Sequence, residues 1–278
     1  MYNISTKMEN FIEETIQKAV AGRFHIPFTE LEIKKEVLGH GQFSEVHICK
    51  WRGLDIVIKK PINYTLENII DFLNEVEVWS TVRHPNIAQF LGFSINSQNE
   101  LFILMEHIKG VTLDVYLKSW FCKQRHVCEQ LVKVLHFLHS CHPIIIYRDL
   151  KPDNIMIDKH HTVKLIDFGL SRFVDEEDLS ENKKMTGKTG SLRYMAPEVF
   201  NNEVYNIKAD IYSLGLVMLY VITKQRPLDN VDFENYIKSR TSLCINTYDQ
   251  KWTKIIQKCV EFNPTDRPTT KAILKMLE

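Results

Sequence analysis

Asp149, Lys151 and Asn154 stand close together in the middle of the chain, within the run Tyr147-Arg148-Asp149-Leu150-Lys151-Pro152-Asp153-Asn154. Phosphoryl transfer to a hydroxyl needs a carboxylate to orient the hydroxyl and accept its proton, a cation near the moving phosphate, and oxygen ligands for Mg²⁺. These three side chains offer one of each. Further on, after the apolar run Val163-Lys164-Leu165-Ile166, comes Asp167-Phe168-Gly169. Asp167 adds a hard, ionised oxygen for the same metal. Alone, that triplet reads as a turn closing a strand; together and at this spacing, the two runs point to phosphate chemistry.

Upstream, Gly39-His40-Gly41-Gln42-Phe43-Ser44 lies between two strand-like runs. A glycine-rich strand–turn–strand lets backbone N–H groups approach phosphates, although a plain hairpin has the same pattern. No helix follows, so it is not a dinucleotide fingerprint. The Walker pattern G-x-x-x-x-G-K-[ST] is absent as well: before Gly187-Lys188-Thr189, Asn182 stands where glycine is needed. Lys59 closes the apolar run Ile56-Val57-Ile58. An ammonium held beneath the glycine loop wants a carboxylate, and Glu75 and Glu77 both flank the apolar face of the next helix-like segment. Periodicity leaves that choice open.

Elements must position these groups. Alternation predicts strands around Leu31–Ile33, Val46–Cys49 and Ile56–Ile58, with Gly39-His40-Gly41 and Arg52-Gly53 near turns. Ile69, Phe72, Leu73, Val76 and Trp79 predict a helix over 66–82, stopped by His84-Pro85-Asn86. Two more strands are expected near 87–93 and 100–106. Beyond Gly110 the pattern turns helical, over 124–141, 207–223, 231–240, 250–262 and 268–277, with short strands at 155–158 and 162–166. A short amphipathic helix is expected at 9–20. The reading is α+β: a small five-stranded β lobe with one helix, then a larger, mainly helical lobe.

Bulk properties narrow the function classes. Lys plus Arg and Asp plus Glu total 35 each, which gives no reason to expect nucleic-acid binding or a polybasic membrane anchor. The six cysteines include no CxxC pair and do not form a disulfide framework. The apolar stretch 211–222 is too short to span a bilayer and reads as a core helix. The N-terminus lacks a signal-peptide core. No membrane insertion and a cytoplasmic location are therefore expected. His136, His139, Cys141 and His142 invite a zinc reading, but Leu135, Phe137 and Leu138 between them read as a core helix.

Gly39-x-Gly41, Lys59, Glu75, Tyr147-Arg148-Asp149, Asn154, Asp167-Phe168-Gly169 and Ala196-Pro197-Glu198 together resemble the eukaryotic protein kinase signature set, over nearly the whole chain from about residue 31. Phe28-Thr29-Glu30-Leu31-Glu32-Ile33 and Trp51-Arg52-Gly53 resemble the tyrosine-kinase-like group, which includes Raf-like and mixed-lineage kinases. The resemblance implies a bilobal protein kinase fold: an extension over 1–27, then a kinase domain over 28–278 with its small lobe at 28–106 and its hinge and large lobe at 107–278.

It also implies roles. Leu38, Gly39, Gly41 and Val46 would cover ATP; Val46, Val57 and Met156 would flank adenine. Lys59 would hold phosphates with Glu75 as its ion-pair partner. Met105 would be the gatekeeper, and Glu106, His107 and Ile108 the hinge. Asp149 would be the catalytic base, with Lys151 beside it, and Asn154 and Asp167 the Mg²⁺ ligands. Asp210 would anchor the catalytic loop and Arg267 would pair with Glu198. Lys151 and Ser191 resemble the serine/threonine version, so a protein serine or threonine hydroxyl is the implied acceptor, with a signalling role. A dual-specificity kinase and a pseudokinase scaffold are the alternatives. Arg148 implies a phosphate on the activation segment, at Thr186 or Thr189. Three positions depart from the pattern: Ser44 for a third glycine, Tyr147 for histidine, and Trp79 for a smaller aliphatic residue. The sequence does not speak to oligomeric state.

Overall fold

The computed structural model describes residues 24–40, 44–63, 65–175, 192–229, 231–239, 243 and 245–278. The expected N-terminal helix at 9–20, Gly41 in the glycine loop, and Thr186, Thr189 and Ser191 lie outside these residues. The chain divides into two compact units. One is the chain up to Thr81 together with Ala88–His107; the other is Val82–Ile87 together with Ile108–Glu278.

The first unit is built on β1 (Leu31–His40), β2 (Ser44–Trp51), β3 (Leu54–Pro61), helix α1 (Leu66–Thr81), β4 (Phe90–Ile95) and β5 (Leu101–Glu106). The strands form one antiparallel sheet in the order β1-β2-β3-β5-β4. Alternation sends Cys49, Ile56, Ile58, Phe102 and Leu104 to one face, where they form a core with Ile26. β1 continues through Gly39 and His40. A register shift between Val37 and Gly39 bends its end. Helix α1 buries Phe72, Glu75, Val78 and Trp79, three and four residues apart, and packs on β4. Trp79 is fully buried; its Nε1 donates to the Ala88 carbonyl at 2.8 Å and its ring lies 6.3 Å from that of Phe90. The indole's polar edge is thus satisfied, which lets so large a residue sit where a smaller one is usual.

The second unit contains β6 (Gly110–Thr112), α2 (Leu113–Leu117), α3 (Gln124–His139), β7 (Ile144–Ile146), β8 (Ile155–Asp158), β9 (Val163–Leu165), β10 (Arg172–Val174), α4 (Pro197–Phe200), α5 (Lys208–Thr223), α6 (Phe233–Ser239), α7 (Gln250–Cys259) and α8 (Thr270–Leu277). Helix α5 is buried almost all round, as a helix apolar on every side must be, and α3 and α7 pack against it. Gly215 permits this approach: a Cβ there would meet Val260 Cγ1 at 2.7 Å. No described helix is long and apolar enough to cross a membrane. Two small sheets, β6-β8-β9 and β10-β7, frame the loops between α3 and α4.

Candidate active site

The sheet of the first unit gathers one group of candidate residues by register alone. Lys59 lies opposite Val46 on one side and Ile103 on the other; Val57 lies opposite Met105; Gly39 lies opposite Val46. Directly paired residues share a face, as do residues two apart. Gly39, Val46, Val57, Lys59 and Met105 therefore stand on one face, opposite to the core of Ile56 and Ile58. Leu38 is exposed. Lys59 Nζ bonds both oxygens of Glu75, at 2.8 and 3.0 Å. Glu75 is buried and Glu77 is exposed, so packing of α1 makes the choice that periodicity left open. Glu106 is tied to Gln89 twice, through its backbone N–H and through a carboxylate oxygen that accepts from the Gln89 N–H. Ile108 begins the second unit and is buried.

The second unit holds the loop of Asp149. Asn154 donates from Nδ2 to the Asp149 backbone carbonyl at 2.9 Å and to its carboxylate Oδ2 at 2.8 Å. Lys151 Nζ reaches the same Oδ2 at 2.7 Å. Both side-chain contacts fall on one oxygen, so Oδ1 keeps its lone pairs among the described residues. Asn154 in turn spends its amide protons on Asp149, leaving its carbonyl oxygen to accept or to ligate. The Asn154 backbone carbonyl receives the N–H of Ile166, which brings the strand end before Asp167 alongside. Asp167 Oδ1 caps the Gly169 N–H at 2.9 Å. A carboxylate and a carbonyl oxygen are the hard donors that Mg²⁺ prefers, so this donor set fits that ion. Met156, on β8, lies opposite Thr112 and Lys164.

The loop's shape is set from below. Arg148 has φ +70°, a left-handed backbone uncommon for a non-glycine residue, at the position just before Asp149. It is held because Asp210, buried on α5, accepts the backbone N–H groups of both Tyr147 and Arg148, at 2.9 and 2.8 Å. His139 Nε2 meets the same carboxylate at 2.8 Å. Tyr147 is fully buried and packs edge-on against Phe168, with centroids 5.3 Å apart. Its hydroxyl has no hydrogen-bond partner among the described residues. Burial, then the charges of Asp167, Asp149 and Asp210, push that phenol well above its ordinary pKa. The Arg148 guanidinium stacks over Tyr205 at 5.5 Å. Burial lowers its pKa, and Arg172 pushes the same way. Glu198 and Arg267 form a two-bond pair at 2.6 and 2.8 Å.

Sequence reasoning did not single out His139 as a support for Asp210, having weighed it only as a metal ligand. His136 instead meets Thr270 at 3.2 Å, and no metal-binding group of three or more is present among the described residues. Tyr205 carried no signal at all. Gln130 was also missed: its buried side chain ties Asn86 to Val163 N–H and fixes β9, the strand leading to Asp167.

Against known families, the protein kinase domain matches residues 33–277. Among curated proteins, the chain is 32% identical over 265 residues to the dual specificity protein kinase shkA of Dictyostelium discoideum, spanning 90% of this chain and 50% of that protein. It is 32% identical over 268 residues to the probable serine/threonine-protein kinase drkC of the same organism, spanning 91% of this chain and 35% of that protein. It is 30% identical over 266 residues to the serine/threonine-protein kinase CTR1 of Arabidopsis thaliana, spanning 91% of this chain and 32% of that protein. The chain thus spans half or less of the length of these relatives.

Proposed function

The chain belongs to the protein kinase family, and from that premise we propose that it transfers the γ-phosphate of ATP to serine or threonine hydroxyls of a protein substrate. The observation that carries this reading is the support of Asp149: one carboxylate oxygen is fixed by Lys151 and Asn154, and the other is left to receive a hydroxyl proton. Asp149 orients the acceptor and takes its proton as the new P–O bond forms. Lys151 holds Asp149 through a charge-assisted bond and sets a positive charge next to the reacting oxygens. Asn154 and Asp167 are the Mg²⁺ ligands, and Lys59, oriented by Glu75, takes the α- and β-phosphates. Val46, Val57 and Met105 offer adenine an apolar surface, with backbone groups of Glu106 and Ile108 for its edge. When bound, Mg–ATP supplies the phosphoryl group and much of the charge neutralisation.

Lys151 and the names of drkC and CTR1 favour serine and threonine as acceptors. The name of shkA favours a second reading, dual specificity. Arg148 directly precedes Asp149, the position that in this family often binds a phosphate on the activation segment; we assign that phosphate to Thr186 or Thr189. The setting we propose is cytoplasmic signalling. The test is labelling of a generic protein substrate with Mg–ATP, followed by phosphoamino-acid analysis. Asp149→Asn is expected to lower the rate by about 10³-fold, within the usual range for removing a general base. Labelling equal to that of the variant would overturn the reading in favour of a scaffold. Phosphotyrosine in the product would favour dual specificity.

A further inference from the structure

Trp120 and Phe121 are 98% and 83% exposed. Adjacent large aromatics so fully in water are unusual for a folded chain, because each forfeits most of its burial gain. They do not sit on a frayed end. They occupy the short connection between α2 and α3, and its backbone is tied down on both sides. Before them, the N–H groups of Lys118 and Ser119 donate to the Val115 and Tyr116 carbonyls, at 3.2 and 3.0 Å. The Phe121 N–H meets the Ser119 hydroxyl at 3.3 Å. After them, the Lys123 N–H donates to the Tyr116 hydroxyl at 2.9 Å, and that hydroxyl is itself held by His161 Nδ1 at 2.8 Å. Gln124 Nε2 then bonds the Val221 and Ile222 carbonyls at the end of α5. The fold therefore holds the two rings outward.

The charges around them have one sign. No acidic residue lies between Asp114 and Glu129, whereas Lys118, Lys123, Arg125 and His126 do. Lys118 and Lys123 are exposed and flank the rings directly. Arg125 is matched by Asp249 at 2.7 Å, and Asp114 is engaged by Arg226, so neither nearby carboxylate faces the lysines alone. The chain's balanced total charge conceals this local excess. Val115, one turn before Lys118, is 53% exposed and extends the apolar surface.

We infer that the Trp120-Phe121 connection is an interfacial anchor for an anionic lipid surface. A projecting pair of rings suits a bilayer, whose interface yields to a wedge. An indole, apolar in body and polar at one edge, prefers that depth, and ammonium groups on either side meet lipid phosphates and carboxylates. The anchor lies within the second unit and does not depend on the kinase reading. Two rings and two lysines give a weak, reversible attachment that senses salt and lipid charge.

The test is sedimentation of the 278-residue chain with phosphatidylcholine vesicles containing 30% phosphatidylserine (roughly the anionic load that attracts basic segments), against pure phosphatidylcholine. Binding to the anionic vesicles only is expected, with quenching of indole emission by brominated acyl chains. Trp120→Ser with Phe121→Ser is expected to lower the bound fraction about tenfold, and Lys118→Glu with Lys123→Glu to abolish the preference for anionic lipid. All four side chains are exposed, so an unchanged Tm shows that the variants fold. Wild-type chain that stays in solution, or ring variants that bind as well as wild type, would overturn the proposal. So would Trp120-dependent self-association without vesicle binding, which would make the rings a protein contact instead.

Discussion

The ion pair Glu198–Arg267 of the helical unit and the ion pair Lys59–Glu75 of the sheet unit are alike in charge, and differ in how far the cation is sealed from solvent. Arg267 has five N–H donors and five bonds: two to Glu198, and one each to the carbonyls of Lys208, Glu261 and Phe262. It also lies over the Tyr212 ring at 4.9 Å and is wholly buried. Nothing is left for a ligand. Lys59 is a compact charge on a flexible stem, with Glu75 at its Nζ, and its side chain is 14% exposed. A guanidinium locked in a fork and sealed from water builds structure; an ammonium on a flexible stem that still reaches solvent remains available to a phosphate. An ion pair does not by itself separate scaffold from chemistry, whereas the cation's remaining access to solvent does.

Three experiments can break or sharpen that contrast. Arg267→Ala is expected to cost about 3–5 kcal/mol of stability, because Glu198 is left buried and unpaired. Denaturant unfolding measures it, and a loss below about 1 kcal/mol would end the scaffold assignment. Lys59→Met is expected to lower kcat/KM about 10²-fold, or about 3 kcal/mol, while destabilising the chain less than Arg267→Ala does. If the ranking of the two stabilities reversed, solvent access would not be the discriminating property. The smallest effect is expected at Tyr147→Phe, which removes a neutral buried hydroxyl with no bond to lose. Stability is expected to stay within about 1 kcal/mol and activity within about threefold. A large fall in rate with an unchanged Tm would mean that this hydroxyl acts on Asp167 and is more than packing.

Periodicity reveals long elements and misses several short ones, although the short strands expected at 155–158 and 162–166 are present as Ile155–Asp158 and Val163–Leu165. The 16-residue helices Leu66–Thr81, Gln124–His139 and Lys208–Thr223 repeat their apolar positions over several turns. The expected bounds lie within a residue or two of these. Gly110–Thr112, Ile144–Ile146 and Arg172–Val174 are three residues each. Such strands exist only because a distant partner supplies their hydrogen bonds, and no local pattern announces that. The same holds at the site. Asp149, Asn154 and Asp167 were legible because phosphate chemistry restricts residue type and spacing. Periodicity alone did not choose Glu75 over Glu77, because the rotation of α1 is fixed by what Trp79 and Phe72 bury against; the kinase resemblance did name Glu75. His139 and Tyr205 were invisible, since each matters only through a partner far away in the chain.

Asp210 carries a consequence in time as well as in space. The amides of Tyr147 and Arg148 belong to a loop, and loop amides ordinarily trade their protons with water quickly. Here both point at a carboxylate sealed inside the most buried of the described helices. Those protons are expected to exchange far more slowly than loop amides usually do, on the time scale of the core that holds Asp210.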